Sequence, residues 1–228
     1  MTEQETGLHE EVHASDNLKM NVNENLHSLY PTLIYHSKVT NYKVNQQIDK
    51  IIDKIDFGYN KGWGKTHELT PLYGHVIDEY NLTHFRNELV SHIQQYIQQM
   101  GLIPQDCRLG LQIENSWFTR MNNGDYAHIH SHGCTHISGV YYYRATKEDT
   151  PLCFESPLSQ YEQSWLYQPM GRQINYPPDK GIIILFPGWL KHGTGTQLLD
   201  SNRISLSFNI NIMPEMHNIP TEVGNGIK

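Results

Sequence analysis

The chain has 228 residues and a mass of 26.5 kDa, enough to bury the core of one domain of ordinary size. Its 17 Lys and Arg residues against 24 Asp and Glu give a formal charge of -7, which argues against sequence-specific binding of nucleic acid. No apolar run reaches the length of a membrane span, and the three cysteines lack CxxC spacing, so we expect a cytoplasmic protein without a disulfide framework.

The N-terminal segment differs in composition from the rest. Residues 1–25 contain six acidic side chains and one lysine with few large apolar groups. Such a segment cannot bury enough surface to offset the entropy lost on ordering. We therefore expect a flexible acidic tail over residues 1–25 and a single domain over residues 26–228. Nothing in the sequence decides the oligomeric state, and a homo-oligomer is open.

Two helices are predicted in the first half of the domain. A short apolar run with a proline at residues 29–35 first predicts an edge strand. Apolar residues then recur at helical spacing over residues 44–55, and again from Thr83 to Gly101, where the glycine predicts the helix end. Between the helices, glycines and a proline at residues 58–80 predict loops.

The second half reads as short strands separated by turn residues. The predicted strands cover residues 109–120, 137–144, 151–155, 181–186 and 203–212. In the last strand apolar and polar residues alternate, so Ile204 and Leu206 would face the core while Arg203 and Ser205 face a hydrated cavity. These elements predict a mainly β sandwich or barrel with flanking helices.

A cluster of histidines is the main chemical signal. His128, His130 and His132 differ by two positions, so an extended backbone projects them to one side. His192 follows a buried apolar strand and a turn, far along the chain. Neutral imidazole is a common ligand of first-row transition metals, and a His-x-His pair with one remote histidine gives a facial triad with open positions.

An arginine and a serine follow the remote histidine. Arg203 stands eleven residues after His192, and Ser205 lies two positions further on the same predicted strand face. A guanidinium pairs bidentately with a carboxylate, and a hydroxyl adds one more donor. The two side chains could hold the far carboxylate of 2-oxoglutarate.

Several blocks together resemble the 2-oxoglutarate/Fe(II)-dependent oxygenases of bacteria and phages, over about residues 29–212. The blocks are LYPTLIY at 29–35, Asn115-x-Trp117, the His-x-His followed by ISGVYYY at 137–143, LFP to His192, and RISLSFN at 203–209. The resemblance implies a double-stranded β-helix, a jelly-roll and cupin-like core that binds Fe(II) and 2-oxoglutarate.

The resemblance also implies a ligand set. A gapless match to the family's His-x-His makes His130 and His132 the proximal ligands, with His192 as the distal one, whereas His128 is the alternative proximal ligand. Most of the superfamily has Asp or Glu in the second position. A carboxylate could still come from Asp125, which reads better as a turn residue, or from Glu155; His136 is expected outside the ligand set.

Aromatic and amide residues are candidates for the pocket. Asn115 and Trp117 share a strand face, and Tyr141 shares one with Tyr143, although ordinary packing explains both pairs equally well. The candidate rim consists of aromatic side chains: Trp63, Tyr73, Trp117 and Trp189.

The predicted function is hydroxylation of an unactivated carbon in a small molecule or peptide by O2, with release of succinate and CO2. Two alternatives stay open. One is a three-histidine cupin-type dioxygenase that does not use 2-oxoglutarate, for which Arg203 would be dispensable. The other is a binding module that kept the β-helix and lost the chemistry.

Overall fold

Antiparallel strands dominate the computed structural model, which describes residues 31–101, 109–158, 165 and 173–214. In chain order the strands are β1 (Tyr35–Lys38), β2 (Gly58–Tyr59), β3 (Glu68–Leu69), β4 (Leu109–Met121), β5 (Ala127–His130), β6 (Ile137–Arg144), β7 (Leu152–Glu155), β8 (Gln173–Tyr176), β9 (Ile182–Pro187), β10 (His192–Thr194) and β11 (Arg203–Pro214). The predicted tail, residues 1–25, lies outside the described residues, so the domain bounds stay a prediction.

These strands form two sheets. The larger sheet has the order β1-β9-β6-β11-β4-β3-β2, and the smaller has the order β5-β10-β7-β8. The side chains that face one another between the sheets form an apolar cluster: Val140, Tyr142, Ala145, Leu152, Phe154, Ile182, Ile184, Phe186 and Leu190. Two antiparallel sheets packed in this way are the jelly-roll core that the sequence predicted, and this fold class is confirmed.

The helices cover the outer face of the larger sheet. They are α1 (Tyr42–Asp49), a 3-10 helix (Ile52–Lys54), α2 (Val76–Glu79) and α3 (Thr83–Met100). Phe85, in α3, packs against Tyr141 and Phe208, with ring centroids 5.2 and 5.9 Å away. One face of β6 and β9 is buried under the helices and the other is buried between the sheets. Both strands are therefore mostly apolar along their whole length.

Both predicted helices are present, with one change of geometry. Asn41 caps α1 by accepting a hydrogen bond from the Lys43 amide at 3.1 Å, but the regular helix ends at Asp49 and continues only as a 3-10 turn. The second helix ends at Gly101, whose φ of 64° requires the conformational freedom of glycine. No helix among the described residues has the length and hydropathy to cross a bilayer.

The five strands predicted after residue 108 are all present, within about two residues of their predicted ends. Residues 29 and 30 of the predicted edge strand lie outside the described residues, and residues 31–34 are not in a strand. The strand β1 begins at Tyr35 and pairs with β9 alone. The loop prediction for residues 58–80 missed β2, β3 and α2. Also missed were β5, β8 and β10, strands of three or four residues whose pairing is decided by distant segments.

Candidate active site

Strand pairing brings two of the predicted histidines together. His192 lies opposite His130 where β10 pairs with β5, and their ring centroids are 4.4 Å apart. The strands approach closely at the next residue: a Cβ at Gly193 would lie 2.7 Å from the Ala127 carbonyl oxygen and 2.9 Å from that of His128. Glycine at 193 is therefore needed for the two imidazoles to meet.

A loop positions the third imidazole. His132 follows β5, and its amide donates to the carbonyl of Gly188 at 2.8 Å. The ring centroid of His132 lies 5.0 Å from that of His130 and 5.1 Å from that of His192. The candidate ligand atoms of the three residues all lie within 4.8 Å of one another, and this is the one such group in the described part of the chain.

Main-chain carbonyls orient two of the rings. Nδ1 of His130 lies 2.8 Å from the carbonyl oxygen of His128, and Nδ1 of His192 lies 2.8 Å from that of Leu190. A carbonyl oxygen can only accept, so each Nδ1 carries the proton and each Nε2 keeps a lone pair for a metal. The exposed side chain of His128, the alternative ligand, lies outside the cluster, while its carbonyl orients His130.

The environment keeps the three imidazoles neutral. Burial, followed by the neighbouring His130, lowers the pKa of His132 to about 4 and the pKa of His192 to about 3. Burial also lowers the pKa of His130. Neutral imidazole is the form that binds metals, so the cluster has the protonation state of a metal site at physiological pH.

Arg203 is a buried cation that lines the same cavity. It is 4% exposed, and its guanidinium lies 5.2 Å from the centroid of the Tyr142 ring, with Nη2 3.5 Å from the Tyr142 hydroxyl. Nη1 donates to Sδ of Met121 at 2.6 Å, whereas Nε has no hydrogen-bond partner, and no carboxylate of the described residues forms a salt bridge with the guanidinium. A buried guanidinium without an anion is costly, so this environment fits a bound carboxylate.

The cavity has a volume of about 310 Å³ and lies between the two sheets. The predicted site residues that line it are Asn115, Trp117, His130, His132, His192, Arg203 and Ser205. Oδ1 of Asn115 is buried without a hydrogen-bond partner, a second polar atom available to a ligand. Trp63 and Tyr73 also line the cavity, whereas Trp189, predicted at the rim, does not.

Tyr141 is a correction to the predicted pocket. It packs in the core under the helices, and its hydroxyl donates to Oδ1 of Asn45 at 2.8 Å. Tyr142 lines the cavity instead, because it lies opposite Ser205 in the pairing of β6 with β11 and so shares its face. The sequence alone could not show this pairing.

The other candidate ligands have structural roles. Oδ2 of Asp125 accepts from the Asn122 amide at 2.8 Å, as expected of a turn residue, and Nδ1 of His136 accepts from the Ile212 amide at 3.0 Å. Neither these two residues nor Glu155 lines the cavity. Sequence reasoning missed other cavity residues: His67, Ser138, Tyr142 and Asn209.

Comparison with protein families supports the same site. Residues 115–209 match the family model described as "Putative 2OG-Fe(II) oxygenase", and this segment contains all three clustered histidines with Arg203 and Ser205. The resemblance predicted from the sequence is thus confirmed, although the match covers less than half of the chain. A comparison with curated protein sequences found no match.

Solved structures with the same fold include several oxygenases. HygX from Streptomyces hygroscopicus, solved with nickel and 2-oxoglutarate bound, has a TM-score of 0.57 and 13% identity, covering 79% of this chain and 83% of that one. SnoN, an alpha-ketoglutarate-dependent epimerase from nogalamycin biosynthesis, has a TM-score of 0.57 and 10% identity, covering 86% and 88%.

A 2OG-Fe(II) oxygenase-family oxidoreductase from Burkholderia pseudomallei has a TM-score of 0.54 and 11% identity, covering 77% of this chain and 84% of that one. At such identities the similarity establishes the fold alone. The family match points to the chemistry, because the model that matches residues 115–209 describes oxygenases named for Fe(II) and 2-oxoglutarate. The donor set in the cavity fits these cofactors, since it offers three neutral imidazoles and a guanidinium whose Nε has no hydrogen-bond partner.

Proposed function

We propose that this oxygenase hydroxylates an unactivated carbon of a small molecule or peptide, with His130, His132 and His192 as the iron ligands. The observation on which the proposal rests is that three neutral imidazoles, two half-buried and one buried, converge in a cavity that also contains a buried guanidinium without a salt bridge to any described residue. When bound, Fe(II), 2-oxoglutarate and O2 supply the oxidising chemistry, which releases succinate and CO2 and leaves a hydroxyl group on the substrate.

Arg203 and Ser205 hold the far carboxylate of 2-oxoglutarate in this proposal. The guanidinium offers a planar fork to the two carboxylate oxygens, and the Ser205 hydroxyl, on the same strand face, offers a further donor. The Tyr142 ring supports the guanidinium by a cation-π contact, and burial raises the pKa of its hydroxyl, so Tyr142 stays a neutral donor. These residues fix the orientation of the co-substrate in the cavity.

The lining favours an uncharged substrate group. No Asp, Glu or Lys lines the described cavity, and Arg203, its one permanent charge, is occupied by the co-substrate. Trp63, Tyr73 and Trp117 provide flat apolar surface for a ring or an alkyl group.

His67 provides one polar contact for the substrate. Its Nδ1 lies 3.0 Å from the Tyr126 carbonyl oxygen and therefore donates, and burial lowers the pKa of the ring. Because Nδ1 carries the proton, Nε2 of the neutral ring can only accept a hydrogen bond. The His67 side chain lines the cavity, so this acceptor is available to a substrate. We infer that the substrate has a hydroxyl or N–H group that donates to His67.

The test is 2-oxoglutarate turnover by protein loaded anaerobically with Fe(II). We expect succinate formation that requires Fe(II) and O2, rises when a true substrate is added, and is abolished in His192→Ala. The proposal fails if the parent protein makes no succinate with or without candidate substrates. Fe(II)-dependent O2 uptake that ignores 2-oxoglutarate and survives Arg203→Ala would favour the three-histidine cupin-type dioxygenase. A parent protein that binds no metal would favour the inert module.

The expected location is the cytoplasm. Of the cysteines in the described residues, Cys134 is exposed and Cys153 is buried, and both are free thiols. Free thiols in this arrangement suit a reducing compartment.

A further inference from the structure

The three clustered imidazoles are not oriented in the same way. His130 and His192 each donate from Nδ1 to a main-chain carbonyl, a contact that no side-chain substitution removes. Nδ1 of His132 has a side-chain neighbour instead, the amide nitrogen of Asn209 at 3.5 Å. The orientation of His132 therefore depends on a residue that mutation can change.

Asn209 is itself held in place. It is 5% exposed in β11, opposite Ser138 of β6 and Asn115 of β4, so the three side chains form a row across the larger sheet. The hydroxyl oxygen of Ser138, a residue 2% exposed, lies 2.7 Å from Oδ1 of Asn209. All three residues line the cavity.

The two possible orientations of the Asn209 amide group, with NH2 or with Oδ1 towards the ring, select different tautomers of His132. With the NH2 group towards the ring, Nδ1 must accept, so Nε2 carries the proton and cannot bind a metal. With the amide turned over, Oδ1 accepts from Nδ1–H and the NH2 group donates to the Ser138 hydroxyl, which can either donate or accept. In this orientation Asn209 still forms hydrogen bonds with both His132 and Ser138, and Nε2 of His132 is free to bind a metal.

We propose that Asn209, held by Ser138, is a positioning residue that selects the Nε2-binding tautomer of His132 by presenting its amide oxygen to Nδ1–H. This inference rests on the proposed metal site. It makes His132 the one imidazole of the cluster whose metal affinity depends on a side-chain acceptor. Loss of such an acceptor weakens metal binding by about 10- to 100-fold.

The test measures Co(II) affinity of the full chain without 2-oxoglutarate, from the visible absorption of the bound ion. We expect Asn209→Leu to weaken Co(II) binding by about 10- to 100-fold, and Ser138→Ala to weaken it by a smaller factor because the amide is no longer held. Asn209→Asp supplies a carboxylate acceptor and should restore the affinity to within about threefold of the parent. Ser207→Ala, on the same strand and in the same cavity, is the matched control and should leave the affinity unchanged.

A second measurement needs no variant. In 15N-histidine-labelled protein loaded with diamagnetic Zn(II), we expect His132 to carry its proton on Nδ1. A proton on Nε2 overturns the inference, as does parent affinity in a folded Asn209→Leu protein or an Asn209→Asp protein as weak as Asn209→Leu. A parent protein that binds Co(II) through the histidines but never consumes 2-oxoglutarate overturns the proposed function alone, and one that binds no metal overturns both.

Discussion

His192 and His130 face each other across the pairing of β10 with β5, and their ring centroids lie 4.4 Å apart. This relationship joins two distant segments of the chain, and it needs a close approach of the two backbones at Gly193. The candidate metal site is therefore sensitive to the spacing of two strands as well as to its ligands.

Gly193→Ala should separate the strands. The new Cβ would meet the carbonyl oxygens of Ala127 and His128 at 2.7 and 2.9 Å, so backbone must shift and the two imidazoles must move apart. We expect Co(II) affinity to fall by at least about tenfold, since a shift near 1 Å degrades a preorganised site. Gly133→Ala, next to His132 with nothing within 4 Å of the new Cβ, is the control. Equal affinities in the two variants would contradict the prediction.

Arg203→Lys should weaken 2-oxoglutarate binding although the charge is kept. A lysine ammonium cannot make the bidentate contact of a guanidinium, so we expect the KM for 2-oxoglutarate to rise by about tenfold or more, with a smaller change in kcat. Steady-state succinate formation measures both. Lys191→Ala removes an exposed cation beside His192 and should leave the KM unchanged. A KM that is the same in Arg203→Lys and in the parent would remove Arg203 from the co-substrate site.

The adjacent tyrosines of β6 should respond differently to loss of the hydroxyl. Tyr141→Phe removes the 2.8 Å hydrogen bond to Asn45, a half-buried acceptor, which costs about 1 kcal/mol of unfolding free energy without affecting the KM for 2-oxoglutarate. Tyr142→Phe removes the hydroxyl beside Arg203 and should raise that KM with little effect on stability. Urea unfolding and steady-state kinetics on both variants check the assignment, and the reverse pattern would refute it.

Protonation of the histidine cluster should begin well below the usual range of histidine. The pKa of His132 is about 4 and that of His192 about 3, against 6.5 for a free imidazole, so Co(II) affinity should stay nearly constant from pH 7.5 to about 5.5 and fall at lower pH. A decline centred near pH 6.5 would show that these imidazoles are not desolvated.

The same pKa shifts predict how the metal-free protein responds to acid. Between pH 6.5 and about 4, His132 and His192 bind protons in the unfolded chain but stay neutral in the folded protein. The unfolding free energy therefore falls as the pH falls. Urea unfolding at pH 7 and pH 5 measures this loss. His192→Gln removes one of the two most strongly shifted groups, and its unfolding free energy should depend less steeply on pH.

Local patterns predicted the long elements well, because each has an internal repeat. The helix beginning at Thr83 repeats every three or four residues, and β11 alternates at period two, which correctly put Arg203 and Ser205 on one face. The short strands β5 and β10 have no such repeat, since three or four residues are too few to display one. Their existence depends on partners that lie far away in the chain.

The sequence by itself determined the mainly β architecture, the candidate histidines and the common face of Arg203 and Ser205, because these depend on residue type and on spacing within one element. The tertiary structure decided which imidazoles meet, since His128 and His130 differ locally by one pleat but only His130 lies opposite His192. It also decided between Tyr141 and Tyr142, because β6 is buried on both faces and its sequence contains no contrast to tell them apart. Strand register is a non-local property, so neither choice could be made from neighbouring residues alone.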